Sequence, residues 1–381
     1  MRQRPPLQLI RKFFARANAE PVDRATLFLI GALVLVGIIT FLSAALSLIA
    51  YHQTALLGRI LITQIGIGVG VGGLAFFLLA HTPLRWVKAS APFVFGGAFL
   101  LGMLTFVPSL GVEINGARRW LDLGFTTFQT SELLKFAVVF AVAWALDRTR
   151  QIPWERRIPT VAGVIGLVVG LLLLQRDTSN LVVMLAAVGV MMFLAGLPWR
   201  YVLWALATVG VGFTALVFSR PYIWERIAVF LGLINDPIGA GFQVETAKIA
   251  IGSGGVWGQG IGAGLVKYSG LPQALNDSIF AIYAEETGFV GSLLVIALFV
   301  ALGIRLGWIG WRLVAREPFG GLFLLGFATL LNMQAAWNIG AMAGALPLSG
   351  MTLPFFSQGG TSLLGLLAMS GIALHITRKR V

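Results

Sequence analysis

The sequence predicts an all-α polytopic membrane protein of about ten transmembrane helices, with one large extracytoplasmic loop between the seventh and eighth. Two observations carry this. Of 381 residues, 57% are hydrophobic and 11% charged, whereas a soluble domain carries about a quarter charged residues. Ten apolar runs also approach the roughly 20 residues that a helix needs to cross a bilayer.

In chain order, residues 1–24 form a basic N-terminal segment. The first run, 25–50, is too long for a signal-peptide core and lacks a clear cleavage site, so it reads as a retained span. The remaining spans are 57–80, 89–108, 131–147, 159–175, 179–197, 200–219, 277–304, 318–346 and 360–377. Leu197-Pro198-Trp199-Arg200 reads as a tight joint between two helices. Basic residues before Ala25, at Arg85, Lys88, Arg148, Arg150, Arg156, Arg157, Arg200, Arg305, Arg312 and Arg316, and in the tail 378–381 fall on one side. The positive-inside rule makes that side cytoplasmic, with both termini. Residues 25–377 then form a single membrane domain, with 220–276 as its large outer loop.

The composition excludes several chemistries. There is no cysteine, hence no disulfide framework or thiol catalysis. His52, His81 and His375 are scattered at span ends, which argues against a histidine metal site. A net charge of +13 would suggest nucleic acid in a soluble chain. Here it follows from membrane topology, and no nucleic-acid partner is expected.

Polar clusters gather on the outer side. In 109–130, the adjacent Arg118 and Arg119 defy the charge rule, and two guanidiniums suit a phosphate or pyrophosphate. Anchoring at the interface beside Trp120 is the plainer reading. Gln129-Thr130-Ser131-Glu132 opens the next helix, and Lys135 lies one turn after Glu132, within pairing distance. A charged pair just inside a membrane is a functional candidate by default. Asp177 in Gln175-Arg176-Asp177-Thr178 is a helix cap or a site residue. Arg226 and Lys248 are further outer cations, for substrate or for lipid headgroups.

Gly252–Gly264 is glycine-rich but lacks the Gly-Lys-Ser/Thr ending of a phosphate loop. It reads as a mobile lid whose backbone approaches a substrate, with Lys267 and Pro272 defining the way to Asp277. Asp277 heads the eighth span, where an N-cap is ordinary and a general base is also reasonable. On an ideal helix Glu285 and Glu286 lie about 12–14 Å deeper. They are expected, with Asn338, to be structural polar groups. The segment 347–362 has two prolines among its glycines and reads as a kinked loop that must line a cavity or be buried in protein.

Taken together, the motifs resemble the SEDS family of bacterial cell-wall proteins, typified by FtsW and RodA. These are Asn115-Gly116 with Trp120, Gln129-x-Ser131-Glu132-x-x-Lys135, Trp257-Gly258-Gln259-Gly260, Leu271-Pro272 before Asp277-x-Ile279-Phe280-Ala281, Glu285-Glu286-x-Gly288, and Leu353-Pro354-Phe355-x-Ser357-x-Gly359-Gly360. The Leu-Pro form before Asp277 leans to the FtsW side. The resemblance implies an inverting peptidoglycan glycosyltransferase. It would polymerise lipid II at the outer face of the bacterial plasma membrane and release undecaprenyl diphosphate. A class B penicillin-binding protein is the implied partner, and Mg²⁺ or Mn²⁺ the implied cation, with Asp277 as its ligand. Asp277 is the implied catalytic base. Lys135, Arg118, Arg119, Arg226, Lys248, Glu132, Gln129 and Ser357 are the candidate substrate contacts. The family's usual Gln-Pro-Asp-x-Gly-Thr is Gln175-Arg176-Asp177-Thr178-Ser179-Asn180 here, which sets a role for that turn against the pattern. A lipid II flippase and a non-catalytic scaffold for the penicillin-binding protein are the alternatives.

Overall fold

The computed structural model describes residues 21–114, 116–122, 124, 127–236 and 238–378. Most of the basic segment 1–24, Asn115 of the Asn-Gly pair and the tail beyond Arg378 therefore lie outside the described residues.

A helix stands at each of the ten apolar runs. They are α1 Arg24–Ala50, α2 Thr54–His81, α3 Leu84–Leu104, α4 Thr130–Arg148, α5 Trp154–Leu174, α6 Thr178–Leu194 and α7 Trp199–Ser219. After two shorter helices, α8 Pro221–Phe230 and α9 Ala240–Ser253, come α10 Ile279–Val314, α11 Pro318–Met342 and α12 Gly360–Arg378. Eight are long and apolar enough to cross a membrane among the described residues. Of the other two, α6 is shorter, and α4 carries Glu132, Lys135 and Asp147. This is a multi-pass membrane protein.

Burial sorts the helices. α11 is buried along 78% of its apolar window and α12 along 72%, so they form the core. α4 joins them, burying Lys135 together with its apolar residues. α7 buries none of its window. An apolar helix uncovered on every side is at home only in lipid.

Two segments differ from the sequence expectation. Residues 111–129 are not irregular loop but a three-stranded antiparallel sheet, β1 Gly111–Ile114, β2 Ala117–Asp122 and β3 Thr127–Gln129. Ile114 pairs with Ala117, and Gly116 just before Ala117 has φ +73°. Asn-Gly between short strands is a hairpin signal that the helical reading passed over.

The glycine-rich segment is not a mobile lid. α10 breaks at Gly288, where φ is +68° and ψ −165°, and the glycine segment fills the break. Phe289 and Val290 N–H donate to the Gly255 and Val256 carbonyls at 2.9 and 3.1 Å. Gln259 and Gly260 N–H donate to the Glu285 and Glu286 carbonyls, each at 3.0 Å. The physical reason is membrane solvation: backbone groups freed by a broken helix must find partners within protein. Glycine permits the approach, since a Cβ at Gly258 would lie 2.2 Å from the Glu286 carbonyl oxygen. Lys267 does not mark an approach to Asp277 either. It is 2% exposed, and its Nζ lies 2.6 Å from Glu286 and 2.9 Å from Ser43 of α1.

Candidate active site

Asp277 does not head α10. The helix starts at Ile279, and Asp277 stands in the turn before it, so the ideal-helix depth of Glu285 and Glu286 below Asp277 does not apply. The turn follows from its residues. Gln273 takes φ +52°, Ser278 Oγ donates to the Pro272 carbonyl at 2.7 Å, and Asn276 N–H donates to the Gln273 carbonyl.

Groups distant in sequence fix this turn. Asn338 Nδ2 donates to the main-chain carbonyls of Asp277 at 2.8 Å and Met351 at 2.6 Å. Ser357 Oγ donates to the Asn276 carbonyl at 2.6 Å and accepts from Leu353 N–H at 2.7 Å. Gln64 of α2 holds the next residues, donating to the Ser357 carbonyl and accepting from Gly359 N–H at 2.9 Å. The kinked segment 347–359 is therefore the bracket of Asp277.

Asp277 is 6% exposed, and its Oδ1 has no hydrogen-bond partner among the described residues. Burial pushes its pKa up to about 6, against the opposing pull of the Gln243 amide and the Arg226 guanidinium. A carboxylate with a bare oxygen and a raised pKa is fitted to accept a proton near neutral pH.

Asp277 lines a cavity of about 750 Å³. The opposite wall comes from the sheet and from the turn between α5 and α6. Arg119 Nη1 pairs with Asp177 Oδ1 at 3.0 Å, and its guanidinium stacks over Trp120 at 4.4 Å. Asp177 is fully buried. Burial alone would raise its pKa, but Arg119, Ser131 and Asn180 outweigh it and hold the carboxyl below its usual range. Glu132 closes the wall, accepting from Ser362 Oγ at 2.6 Å and from Lys135 Nζ at 2.9 Å. Lys135 also donates to Gln334 Oε1 at 2.7 Å.

Of the residues singled out from the sequence, Asp277, Arg119, Arg226, Glu132 and Gln129 share this cavity. The others stand elsewhere. Lys135 is 1% exposed and sits behind Glu132. Arg118 points away, in an exposed pair with Glu113 at 2.8 Å. Exposed Lys248 packs along Gly344. Ser357 is a bracket and does not line the cavity. Glu286 is paired with Lys267, and Glu285 Oε1 accepts from Leu265 and Val266 N–H at 2.9 and 3.2 Å.

The cavity is also lined by Arg176, Asp177, Gln243 and Asn276. Sequence reasoning left Gln243 and Asn276 out of the site, held the Arg176-Asp177 turn between a helix cap and a site role, and gave Gln64 no role. An uncharged glutamine inside an apolar run was the available signal for Gln64.

A family model named for FtsW, RodA and SpoVE, described as "Cell cycle protein", matches residues 24–381. The chain belongs to this family. A FtsW/RodA/SpoVE relative from Saccharophagus degradans, described as a probable peptidoglycan glycosyltransferase FtsW, is 37% identical over 350 residues, covering 89% of each chain. Stage V sporulation protein E of Bacillus subtilis is 32% identical over 315 residues, 81% of this chain and 84% of its own. The Thermus thermophilus rod shape determining protein RodA shares the fold at a TM-score of 0.67 and 33% identity, covering 95% of this chain and 99% of that one. A chain from a peptidoglycan synthase complex, described in terms of polymerization and crosslinking, matches at a TM-score of 0.74 and 33% identity, covering 94% and 99%.

No three acidic, histidine or cysteine residues stand close enough to cage a metal among the described residues. Glu132 and Asp177 are already engaged by Lys135 and Arg119. The unpartnered Oδ1 of Asp277 fits a divalent cation only as a single protein ligand, the way Mg²⁺ is held when substrate phosphates and water complete its shell.

Proposed function

We propose that the chain is an inverting peptidoglycan glycosyltransferase. It polymerises lipid II at the outer face of the bacterial plasma membrane, with both termini cytoplasmic. The carrying observation is the bare carboxylate oxygen of Asp277 in a cavity also lined by three arginines, Arg119, Arg176 and Arg226.

Asp277 accepts the proton of the acceptor sugar's 4-hydroxyl. The oxygen attacks the anomeric carbon of the donor, a glycosidic C–O bond forms, and the bond from that carbon to the diphosphate breaks. The electron pair leaves on undecaprenyl diphosphate, and the proton stays on Asp277. Negative charge grows on the leaving group, where preorganised guanidiniums stabilise it. Arg119 and Arg226 are positioned for this, Arg119 by its Asp177 pair and Arg226 by the Leu348 carbonyl at 3.4 Å. A Mg²⁺ or Mn²⁺ ion held at Asp277 Oδ1 would compete with the proton for that oxygen, and would neutralise part of the same charge. Lys135 acts through Glu132, which it holds in the wall.

The likeness to a chain of a polymerising and crosslinking complex supports a class B penicillin-binding protein as partner. The test is lipid II polymerisation by the purified complex carrying Asp277→Ala. Loss of glycan strands with retained substrate binding is the expected result. Strands of ordinary length and yield would refute the assignment.

A further inference from the structure

Arg176 occupies a backbone position that favours glycine. α5 ends in a Schellman turn: Asp177 N–H donates to the Leu172 carbonyl at 2.9 Å, and Arg176 N–H to the Leu173 carbonyl at 3.3 Å. The residue between, Arg176, has φ +58°. That position is most often glycine, because a side chain there crowds the backbone. Proline, the residue the SEDS pattern usually carries here, has φ locked near −65° and does not fit this turn.

A long cationic side chain is thus held in a conformation that its own backbone disfavours, and it lines the cavity of Asp277. Strain of this kind collects at functional positions. The side chain is exposed, and the one hydrogen bond it makes among the described residues, from Nη1 to the Gly116 carbonyl, is long at 3.3 Å. No carboxylate pairs with it among the described residues, although Glu113 feels its charge. Arg119, by contrast, is committed to Asp177. Arg176 therefore brings unengaged donors to the cavity.

We propose that Arg176 is a specificity-determining residue that binds an anionic group of the substrate through its planar fork of donors. This rests on the reading of lipid II as substrate. Lipid II offers two anions of suitable chemistry, the diphosphate and the carboxylates of its stem peptide.

The test compares wild type, Arg176→Gly and Arg176→Lys in complex with the partner. Each is assayed for binding and polymerisation with lipid II carrying free or amidated stem carboxylates. Arg176→Gly relieves the turn, so its thermal stability should match or exceed wild type and folding cannot explain a defect. An exposed ion pair predicts a roughly two- to fivefold rise in Kd and KM with partial rescue by lysine; kcat is retained where the anion is the stem peptide and falls as well where it is the departing diphosphate. A rise confined to the free-carboxylate substrate assigns the stem peptide; an equal rise with both assigns the diphosphate. Unchanged Kd and KM for Arg176→Gly on both substrates overturn the proposal. If wild type binds but makes no polymer, the glycosyltransferase reading fails, while the Kd comparison still decides the role of Arg176.

Discussion

Asn338 donates to the main-chain carbonyl of Asp277 across 2.8 Å, although the two are 61 residues apart. The same amide donates to Met351, so one side chain on α11 ties the carboxylate's turn to the kinked segment that brackets it. Asn338→Ala leaves two buried carbonyls without this donor, at about 1–3 kcal/mol for each group left unsatisfied. The variant is expected to fold with a lowered Tm and to lose kcat more than substrate affinity. Thermal unfolding and polymerisation kinetics check both.

The raised pKa of Asp277 sets activity and stability against each other. In the proposed role of base it must be ionised, so the rate should rise with pH through about 6. The folded protein holds the proton more tightly than the unfolded chain, whose carboxyl titrates near 3.8. This stabilisation is full below about pH 4 and is lost as pH rises through about 6, amounting to roughly 3 kcal/mol. Asp277→Asn should abolish polymerisation and flatten stability over that window, read as Tm against pH. A wild-type Tm that climbs between pH 4 and 6 by as much as in the variant would rule out this titration.

Arg118 and Arg119 are neighbours with opposite surroundings. Arg118→Ala removes an exposed pair with Glu113 and should leave the rate within about twofold. Arg119→Ala strands a fully buried Asp177 carboxylate, which costs several kcal/mol, and removes a cavity cation. Activity should fall at least tenfold, with a lower Tm. Parallel assays of the two variants distinguish them.

The Lys267–Glu286 pair is buried, with Ser43 bonded to both partners. Removing one charge leaves the other unpaired, at about 3–5 kcal/mol. Lys267→Met and Glu286→Gln should each lower Tm sharply. The double variant Lys267→Met/Glu286→Leu should recover much of the loss, because no buried charge remains. Additive losses in the double variant would show that the pair does not act as a unit.

Gly258→Ala places a methyl against the Glu286 carbonyl at a residue with φ +84°. Ala at positive φ is strained by more than about 1 kcal/mol, and the clash adds to it. The yield of folded protein in detergent should fall. Gly252→Ala, which meets no neighbour and sits within α9, should be silent.

The sequence by itself determined the ten helical stretches and the membrane as solvent, because apolar length is a local property that any bilayer reads in the same way. It singled out Asp277 among the acids, since a carboxylate beside a glycine-rich segment and ahead of an apolar run is visible in one dimension. Helix periodicity also placed Glu132 and Lys135 together. Tertiary structure alone decided which cations meet Asp277. Adjacent side chains on β2 take opposite directions, so Arg119 enters the cavity and Arg118 leaves it. It turned the glycine segment from a lid into the hydrogen-bonding partner of a broken helix, because the need for partners arises at Gly288, in a different element. It drew Gln64, Asn338 and Ser357 around one turn for the same reason: backbone carbonyls buried away from water must be matched, and the matching donors come from whichever helices pack there.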